Sequence, residues 1–336
     1  MIFITGGTGL VGSHLLVELT QQHDKVTAIY RNKEKIQTVN KVFNHYLKKN
    51  AKDLFSKINW VYCDIMDVPN LDELIANHKI VYHCAAIVSF KRKDFSKMMQ
   101  VNREGTANIV NLCLHHKIDK LCYVSSTAAV GNKDILEDEL VDENGKWILT
   151  NETSGYSISK YSAEKEVWRG SEEGLNVVIV NPSIIIGAGN WQESSLVIFK
   201  TINKGLKFYA SGANAFVDAR DVAKIMVELV NKNVINERFL CVGANTSFKT
   251  LFDLIALKMG KKPPRYKVAP FFMEIAWRVA VLWAYITFST PVLTKSSARN
   301  AFKTIKFSNS KIKNILGYEF SSLEDSVVNS IEGRVK

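Results

Sequence analysis

Tyr156-Ser157-Ile158-Ser159-Lys160 places a phenol and an ammonium four residues apart at the head of a helical run. Positions i and i+4 share a helix face, so the lysine would sit behind the tyrosine. A free phenol titrates near ~10 and is a poor acid–base catalyst at neutral pH; an adjacent cation favours the phenolate and draws the group toward the working range. Proton transfer at an oxygen also needs a hydroxyl donor to orient that oxygen. The run Leu121-Cys122-Tyr123-Val124-Ser125-Ser126-Thr127 ends in three hydroxyl residues where an apolar strand would stop. A third feature suits a phosphate: Thr5-Gly6-Gly7-Thr8-Gly9-Leu10-Val11-Gly12, between an apolar run and a helical one. Gly6 allows a tight turn, Gly9 lets the backbone approach a pyrophosphate, and Gly12 lets the helix pack closely on the sheet. Amides at the helix N-terminus then face the phosphates, and the strand–turn–helix context makes the pattern specific.

A dinucleotide site that prefers NAD carries an acid at the end of the second strand, about 20 residues past the glycines, to hold the ribose hydroxyls. Here that place reads Ala28-Ile29-Tyr30-Arg31-Asn32. Arg31 can stack on adenine and pair with a 2′-phosphate, helped by Lys35. This predicts NADP(H) as the preferred cofactor and NAD(H) as the second option.

The elements that would position these residues alternate. Strands are expected at Met1–Thr5, Val26–Tyr30, Ile58–Cys63, Ile80–His83, Lys120–Ser125 and Val177–Asn181. Helices are expected at Leu10–Gln22, Lys33–Lys49, Leu71–Asn77, Phe95–His116 and Ser157–Glu173. Strands rich in β-branched and aromatic residues, alternating with helices, predict an α/β fold, a doubly wound Rossmann parallel sheet covered on both faces. After Pro182 the rhythm breaks into short segments: a helix near Ser195–Lys204, a strand near Phe239–Val242 and a helix at Thr250–Met259. The expected organisation is therefore an NAD(P)-binding domain over 1–181 and 211–243, with a smaller, discontinuous C-terminal substrate-binding lobe over 182–210 and 244–336. A chain of 336 residues exceeds the single-core limit of roughly 250–300 residues, which fits a large domain with a second lobe.

Hydrophobic content of 46% and charged content of 23% are those of an ordinary globular protein. The net charge of +11 comes from lysines spread along the chain without aromatic-interleaved basic motifs, so no nucleic-acid partner is expected. The five cysteines form no C-x-x-C pair and read as buried free thiols. The seven histidines show no metal-ligand spacing, and adjacent His115 and His116 would point in different directions, so no metal is expected. No basic stretch precedes the opening apolar run as in a signal peptide, and a cytoplasmic location is the expectation.

Taken together, TGGTGLVG, HCAA at His83–Ala86, VNREGTAN at Val101–Asn108, VSSTAAVG at Val124–Gly131, YSISK, NPSIIIG at Asn181–Gly187, FVDARDVA at Phe216–Ala223 and FSNSKIKNILGY at Phe307–Tyr318 resemble the extended short-chain dehydrogenase/reductases, the NAD-dependent epimerase/dehydratase family. The likeness runs through nearly the whole chain in the family's order. It implies a triad of Thr127 (with Ser126 as the fallback) as the substrate-orienting hydroxyl, Tyr156 as acid–base catalyst, and Lys160 holding the nicotinamide ribose and lowering the Tyr156 pKa. It further implies cofactor contacts from Gly6, Thr8, Gly9, Leu10, Val11, Gly12 and Arg31, from Asp64 and Ile65 at the adenine, and from Ala85 and Ala86 at the ribose. Pro182 and Ser183 would run past the nicotinamide, Asn102 matches a helix asparagine of the pattern, and a homodimer through the Tyr156–Lys160 helix is implied. Two departures are visible: Val130 runs straight into Gly131 where relatives place a tyrosine, and Asn181 stands where many have arginine.

Sugar dehydratases of this family carry acids directly after the triad threonine, whereas Ala128-Ala129 follow here. Epimerases typically hold NAD with the acid that Arg31 replaces. The resemblance lies nearest to dihydroflavonol reductase-like and hydroxysteroid dehydrogenase-like members, and implies hydride transfer between a carbonyl and an alcohol on a fairly apolar small molecule. The alternatives are a nucleotide-sugar epimerase with tightly bound NAD and a noncatalytic NADP-binding regulator. The apolar stretch Pro270 to Pro291 approaches the ~20 residues of a membrane span, but Glu274 and Arg278 lie one turn apart within it. It reads as a core helix, a substrate lid or a face for peripheral membrane contact through 270–290.

Overall fold

The computed structural model describes residues 1–131, 140–232, 234–286 and 295–335. Its first strands and helices follow the glycine signature directly. β1 (Ile2–Thr5) leads through the glycine turn into α1 (Leu10–Gln22), then β2 (Val26–Tyr30), α2 (Glu34–Leu47), α3 (Ala51–Ser56) and β3 (Ile58–Tyr62). Next come α4 (Val68–Ile75), β4 (Ile80–His83), α5 (Phe95–Met98), α6 (Gly105–His115), β5 (Lys120–Val124), α7 (Gly155–Glu172) and β6 (Val177–Pro182). These six strands, joined by a seventh described below, form one parallel sheet.

Period-two alternation sends side chains to opposite faces, so each central strand serves two cores. Ile2, Ile4, Cys122, Val124, Val178 and Val180 pack toward α1 and α2. Phe3, Leu121, Tyr123, Val177 and Ile179 pack toward α4, α6 and α7. The uniform burial of β1, β5 and β6 follows from this two-sided cover.

Beyond β6 the chain forms β7 (Ile184–Ile186), β8 (Gly189–Asn190), α8 (Val197–Asn203), β9 (Phe208–Tyr209), β10 (Ala213–Asp218) and α9 (Ala219–Asn231). Then follow β11 (Glu237–Cys241), β12 (Ala244–Ser247), α10 (Phe248–Lys258), β13 (Tyr266–Lys267), α11 (Pro270–Ile286), α12 (Lys295–Asn300), α13 (Ser310–Leu316), α14 (Leu323–Glu332) and β14 (Arg334–Val335). β11 completes the large sheet, whose order is β11-β6-β5-β4-β1-β2-β3. The order reverses between β1 and β4, which opens a crevice at the carboxyl ends of the strands. β7, β10 and β12 make a separate three-stranded sheet whose core joins Ile186 and Phe216 to Phe199, Leu251, Ile255 and Val327. β10 therefore hydrogen-bonds in the small sheet, although the sequence boundaries grouped it with the large one, while α9 directly after it packs on α1.

Two helices differ from their sequence outline. α4 begins at Val68 rather than Leu71 because the Asp67 side chain caps it by accepting from the Asn70 amide. The run expected as one helix from Phe95 to His116 contains a π-helical segment over Met99–Glu104, between α5 and α6. Of the Pro270–Pro291 stretch, residues 287–291 lie outside the described residues. No described helix is long and apolar enough to cross a membrane.

Candidate active site

The glycine turn is built for close approach. Gly6 has φ +69°, and a Cβ on it would stand 2.5 Å from the Ala85 nitrogen; a Cβ on Gly12 would stand 2.2 Å from the Gly6 carbonyl oxygen. Neither position tolerates a side chain. Gly9 caps α1 without any side-chain hydrogen bond and is exposed, so the first amides of α1, including those of Leu10 and Val11, remain aimed at the crevice beside Thr8. The donor set fits a dinucleotide pyrophosphate. Thr5 closes the turn from below: its hydroxyl meets His83 Nδ1 at 2.6 Å and accepts from the Ala85 amide at 3.3 Å. Ala85 thus lies directly against the glycine turn. His83 is completely buried, bonds Thr106 Oγ1 at 2.9 Å through its other nitrogen, and burial pushes its pKa down to about 3.

At the ends of β2 and β3, Arg31 Nη1 lies 3.4 Å from Asp64 Oδ2, both side chains about half exposed. Asp64 also accepts from the Met66 amide at 3.0 Å, and Ile65 beside it is buried. The Lys35 ammonium pairs with Glu193 at 3.0 Å, both side chains about half exposed.

Tyr156 and Lys160 lie on the first turns of α7, which Ser154 caps by accepting from the Ser157 amide at 3.1 Å. Ser157 in turn donates to the Ala128 carbonyl at 2.6 Å and accepts from Trp147 Nε1 at 2.9 Å. This clamps the helix start against the loop after β5. Lys160 is 2% exposed, and its ammonium donates to the Tyr123 hydroxyl at 2.9 Å and the Val124 carbonyl at 2.7 Å. Burial holds its pKa down to about 8, opposed mainly by the Glu164 carboxylate.

Burial raises the pKa of the Tyr156 phenol, with the Ser126 side chain acting in the opposite direction. The Lys160 ammonium lies toward Tyr123 and the end of β5. Both candidate hydroxyls, Ser126 and Thr127, lie at the turn after β5. Ser126 also accepts from the Ala128 amide at 3.1 Å, and Thr127 follows it as the first residue of a short 3-10 turn. The Phe90 ring lies 5.7 Å from that of Tyr156.

Behind the triad sits a buried network. Glu164, two turns beyond Tyr156, is 2% exposed and accepts from Ser125 Oγ at 2.5 Å, Asn181 Nδ2 at 2.7 Å and Arg238 Nη1 at 3.1 Å. Pro182 and Ser183 follow Asn181 out of β6; the Ser183 amide donates to the Cys241 carbonyl at 3.1 Å. Asn102, in the π-helical segment, exchanges hydrogen bonds with the Ile87 backbone at 2.7 and 3.0 Å and donates to Ser159 at 3.0 Å. It thereby ties the segment after β4 to the residue before Lys160. Tyr123, Glu164 and Arg238 were missed in the sequence. The only available signal was that Glu164 continues the four-residue spacing of Tyr156 and Lys160.

The five cysteines are free; Cys84 is half-buried and the others are buried. Away from the crevice, the rings of His115 and His116 do not diverge but meet edge to face at 4.7 Å, because α6 ends between them. His116 Nε2 pairs with Asp72 at 2.6 Å, and the ligand atoms of Asp72, His115 and His116 lie within 4.8 Å of one another. Sequence spacing alone could not show this, since Asp72 comes from α4.

Residues 2–241 match the model of the NAD dependent epimerase/dehydratase family. Anthocyanidin reductase of Arabidopsis thaliana is 27% identical over 292 residues, covering 81% of this chain and 83% of the relative. The crystal structure of gox2253 superimposes with a TM-score of 0.79 at 25% identity, covering 98% of this chain and 96% of that one. A dTDP-glucose 4,6-dehydratase of Streptomyces venezuelae, DesIV, with NAD and TYD bound, shares the fold with a TM-score of 0.75 at 15% identity, over 99% and 96% of the two chains. With the glycine turn, the Tyr156–Lys160 helix and the seven-stranded sheet in place, the chain belongs to the NAD-dependent epimerase/dehydratase family of extended short-chain dehydrogenases/reductases and is an NAD(P)-binding enzyme of that oxidoreductase class.

Proposed function

We propose that this enzyme interconverts a carbonyl and an alcohol on a fairly apolar small molecule, with NADP(H) as its preferred cofactor. The observation that carries the reading is the apolar border of the Tyr156 phenol, whose ring lies 5.7 Å from that of Phe90. Phe90 is 47% exposed, and Phe95 packs against Gly155 at the start of α7, so apolar surface borders the reacting phenol. An apolar substrate gains by covering it.

The bound nicotinamide would donate or accept the hydride. The chain's own groups manage the oxygen. Ser126, with Thr127 as its neighbour, orients the substrate oxygen by hydrogen bonding. Tyr156, held protonated at neutral pH by burial, donates its proton to that oxygen during reduction and takes it back during oxidation. Lys160, fixed under the end of β5, would keep a cation behind the phenol and would hold the nicotinamide ribose. Arg31 would leave Asp64 for a 2′-phosphate, which carries more charge than one carboxylate.

The alternative is a nucleotide-sugar epimerase retaining NAD. One observation favours it: Asp64 stands 3.4 Å from Arg31, where it offsets the arginine charge. The test is a carbonyl-substrate screen with NADPH and NADH, alongside stability titrations with both cofactors and with UDP-sugars. Carbonyl reduction with NADPH, abolished in Tyr156→Phe with cofactor binding retained, supports the proposal. Stabilisation by a UDP-sugar with NAD preferred overturns it in favour of epimerisation. Cofactor binding without any turnover points to a noncatalytic regulator.

A further inference from the structure

A second functional surface lies outside the crevice, on α11. At 3.6 residues per turn, Phe271, Ile275 and Val279 lie side by side, with Phe272 and Ala276 beside them, within an arc of about 140°. All five are exposed, Phe271 to 70%, Phe272 to 64% and Val279 to 58%. The polar edge of the same helix is occupied: Glu274 accepts from Trp277, Arg278 and Arg299 of α12, which fixes the helix on the body of the protein. The apolar arc is thus presented outward by an anchored helix. A contiguous exposed apolar face of this kind marks a docking surface.

The strand entering α11 indicates what docks there. β13 pairs with β9, which sets Tyr266 against Phe208 with rings 5.7 Å apart, 60% and 56% exposed, and brings Arg265 next to Lys207 through a 3.0 Å backbone bond. The two segments joined by this pairing, 194–212 and 257–273, contain no aspartate or glutamate. They expose Lys204, Lys207, Lys261, Lys262, Arg265 and Lys267. Exposed aromatic and aliphatic side chains next to a purely basic rim are the two signals that peripheral binding to an anionic bilayer needs, since apolar burial or charge alone gives only marginal binding. A second copy of this chain would bring the same basic rim and the same +11 charge against it, which repels.

We propose that the exposed face of α11, with the basic β9–β13 rim, seats this enzyme on the surface of an anionic membrane, lying on the bilayer without spanning it. The inference does not rest on the reaction assigned above. It is tested by flotation of the full-length protein with vesicles of phosphatidylcholine, and with vesicles containing about 30% phosphatidylserine. The expected result is co-flotation with the anionic vesicles alone and loss of binding at about 0.5 M salt. Phe271→Ser/Val279→Ser and Lys207→Glu/Lys267→Glu should each weaken binding by roughly tenfold or more, because each removes one of the two signals. Because these side chains are exposed, circular dichroism and melting temperature should be those of the parent protein. Failure to float with either vesicle overturns the proposal, as does binding that neither double variant weakens. A dimer in light scattering that Phe271→Ser/Val279→Ser dissolves, without vesicle binding, assigns the face to a second copy instead. A KM raised by that variant without vesicle binding assigns it to a substrate lid.

Discussion

Asn181 holds Ser126 in place: its side-chain amide donates to the Ser126 carbonyl at 3.1 Å and, at 2.7 Å, to the carboxylate of Glu164. Asn181 is wholly buried in β6, so the backbone of Ser126 is fixed from behind by the next strand of the sheet. Ser125, Trp168 and Arg238 complete the shell around Glu164. Removing the carboxylate takes an acceptor from four buried or half-buried donors. Glu164→Ala should therefore lose about 3 kcal/mol of unfolding free energy, and Glu164→Gln, which keeps one oxygen, less. Urea unfolding of the two variants gives the comparison.

The proposed mechanism makes Ser126, whose side chain opposes the effect of burial on the Tyr156 phenol, the orienting hydroxyl ahead of Thr127. Ser126→Ala should lower kcat by about a hundredfold or more, within the range for loss of an acid–base or orienting partner, with cofactor binding intact. Thr127→Ala should cost less than about tenfold. Steady-state kinetics of the two variants decides the matter, and the opposite ranking would make Thr127 the orienting group.

Arg31 and Asp64 share the end of the crevice that would receive the adenosine. Arg31→Asp should weaken NADPH binding by roughly tenfold or more and leave NADH binding little changed, because only NADPH loses a charge-assisted pair. Asp64→Asn frees Arg31 and should tighten NADPH. Fluorescence titration of both nucleotides checks these shifts; unchanged NADPH affinity in Arg31→Asp would remove the basis for the NADP preference.

Acid should destabilise the fold through its buried histidines. Burial lowers the His14 pKa from 6.5 to about 4, in a site where its nitrogens meet the Leu10 carbonyl and the Tyr46 hydroxyl. Because the unfolded chain binds the proton more readily, the contribution of His14 is complete above pH 6.5 and is lost as the pH falls through about 4. The loss from this residue amounts to about 3 kcal/mol at its full extent. His83, lowered to about 3, acts in the same direction and extends the window downward. Unfolding free energies measured from neutral pH to pH ~4 should show this slope, reduced in His14→Gln.

The glycine turn offers a further check on the crevice. A methyl on Gly12 would press into the Gly6 carbonyl, so Gly12→Ala must shift α1 away from the turn. Isothermal titration should show a loss of NADPH affinity of tenfold or more, about the cost of one well-made contact to a charged group.

What the amino-acid sequence determined by itself was local or strictly periodic. The glycine turn, the Tyr156–Lys160 spacing and the alternation of strands and helices depend on residues close in the chain. The strands predicted at Val26–Tyr30 and Ile80–His83 and the helix at Leu10–Gln22 have the same bounds in the structure. Partnerships between distant elements were decided by the tertiary structure alone. Lys160 turns to Tyr123 and Val124 because β5 runs beside it. Glu164 gains Asn181 and Arg238 only when β6 and β11 pair, and β10 joins the small sheet because β7 and β12 offer it edges. Such contacts are set by packing and by the need to satisfy buried polar groups across the whole molecule, and the periodicity of a single segment carries no record of them.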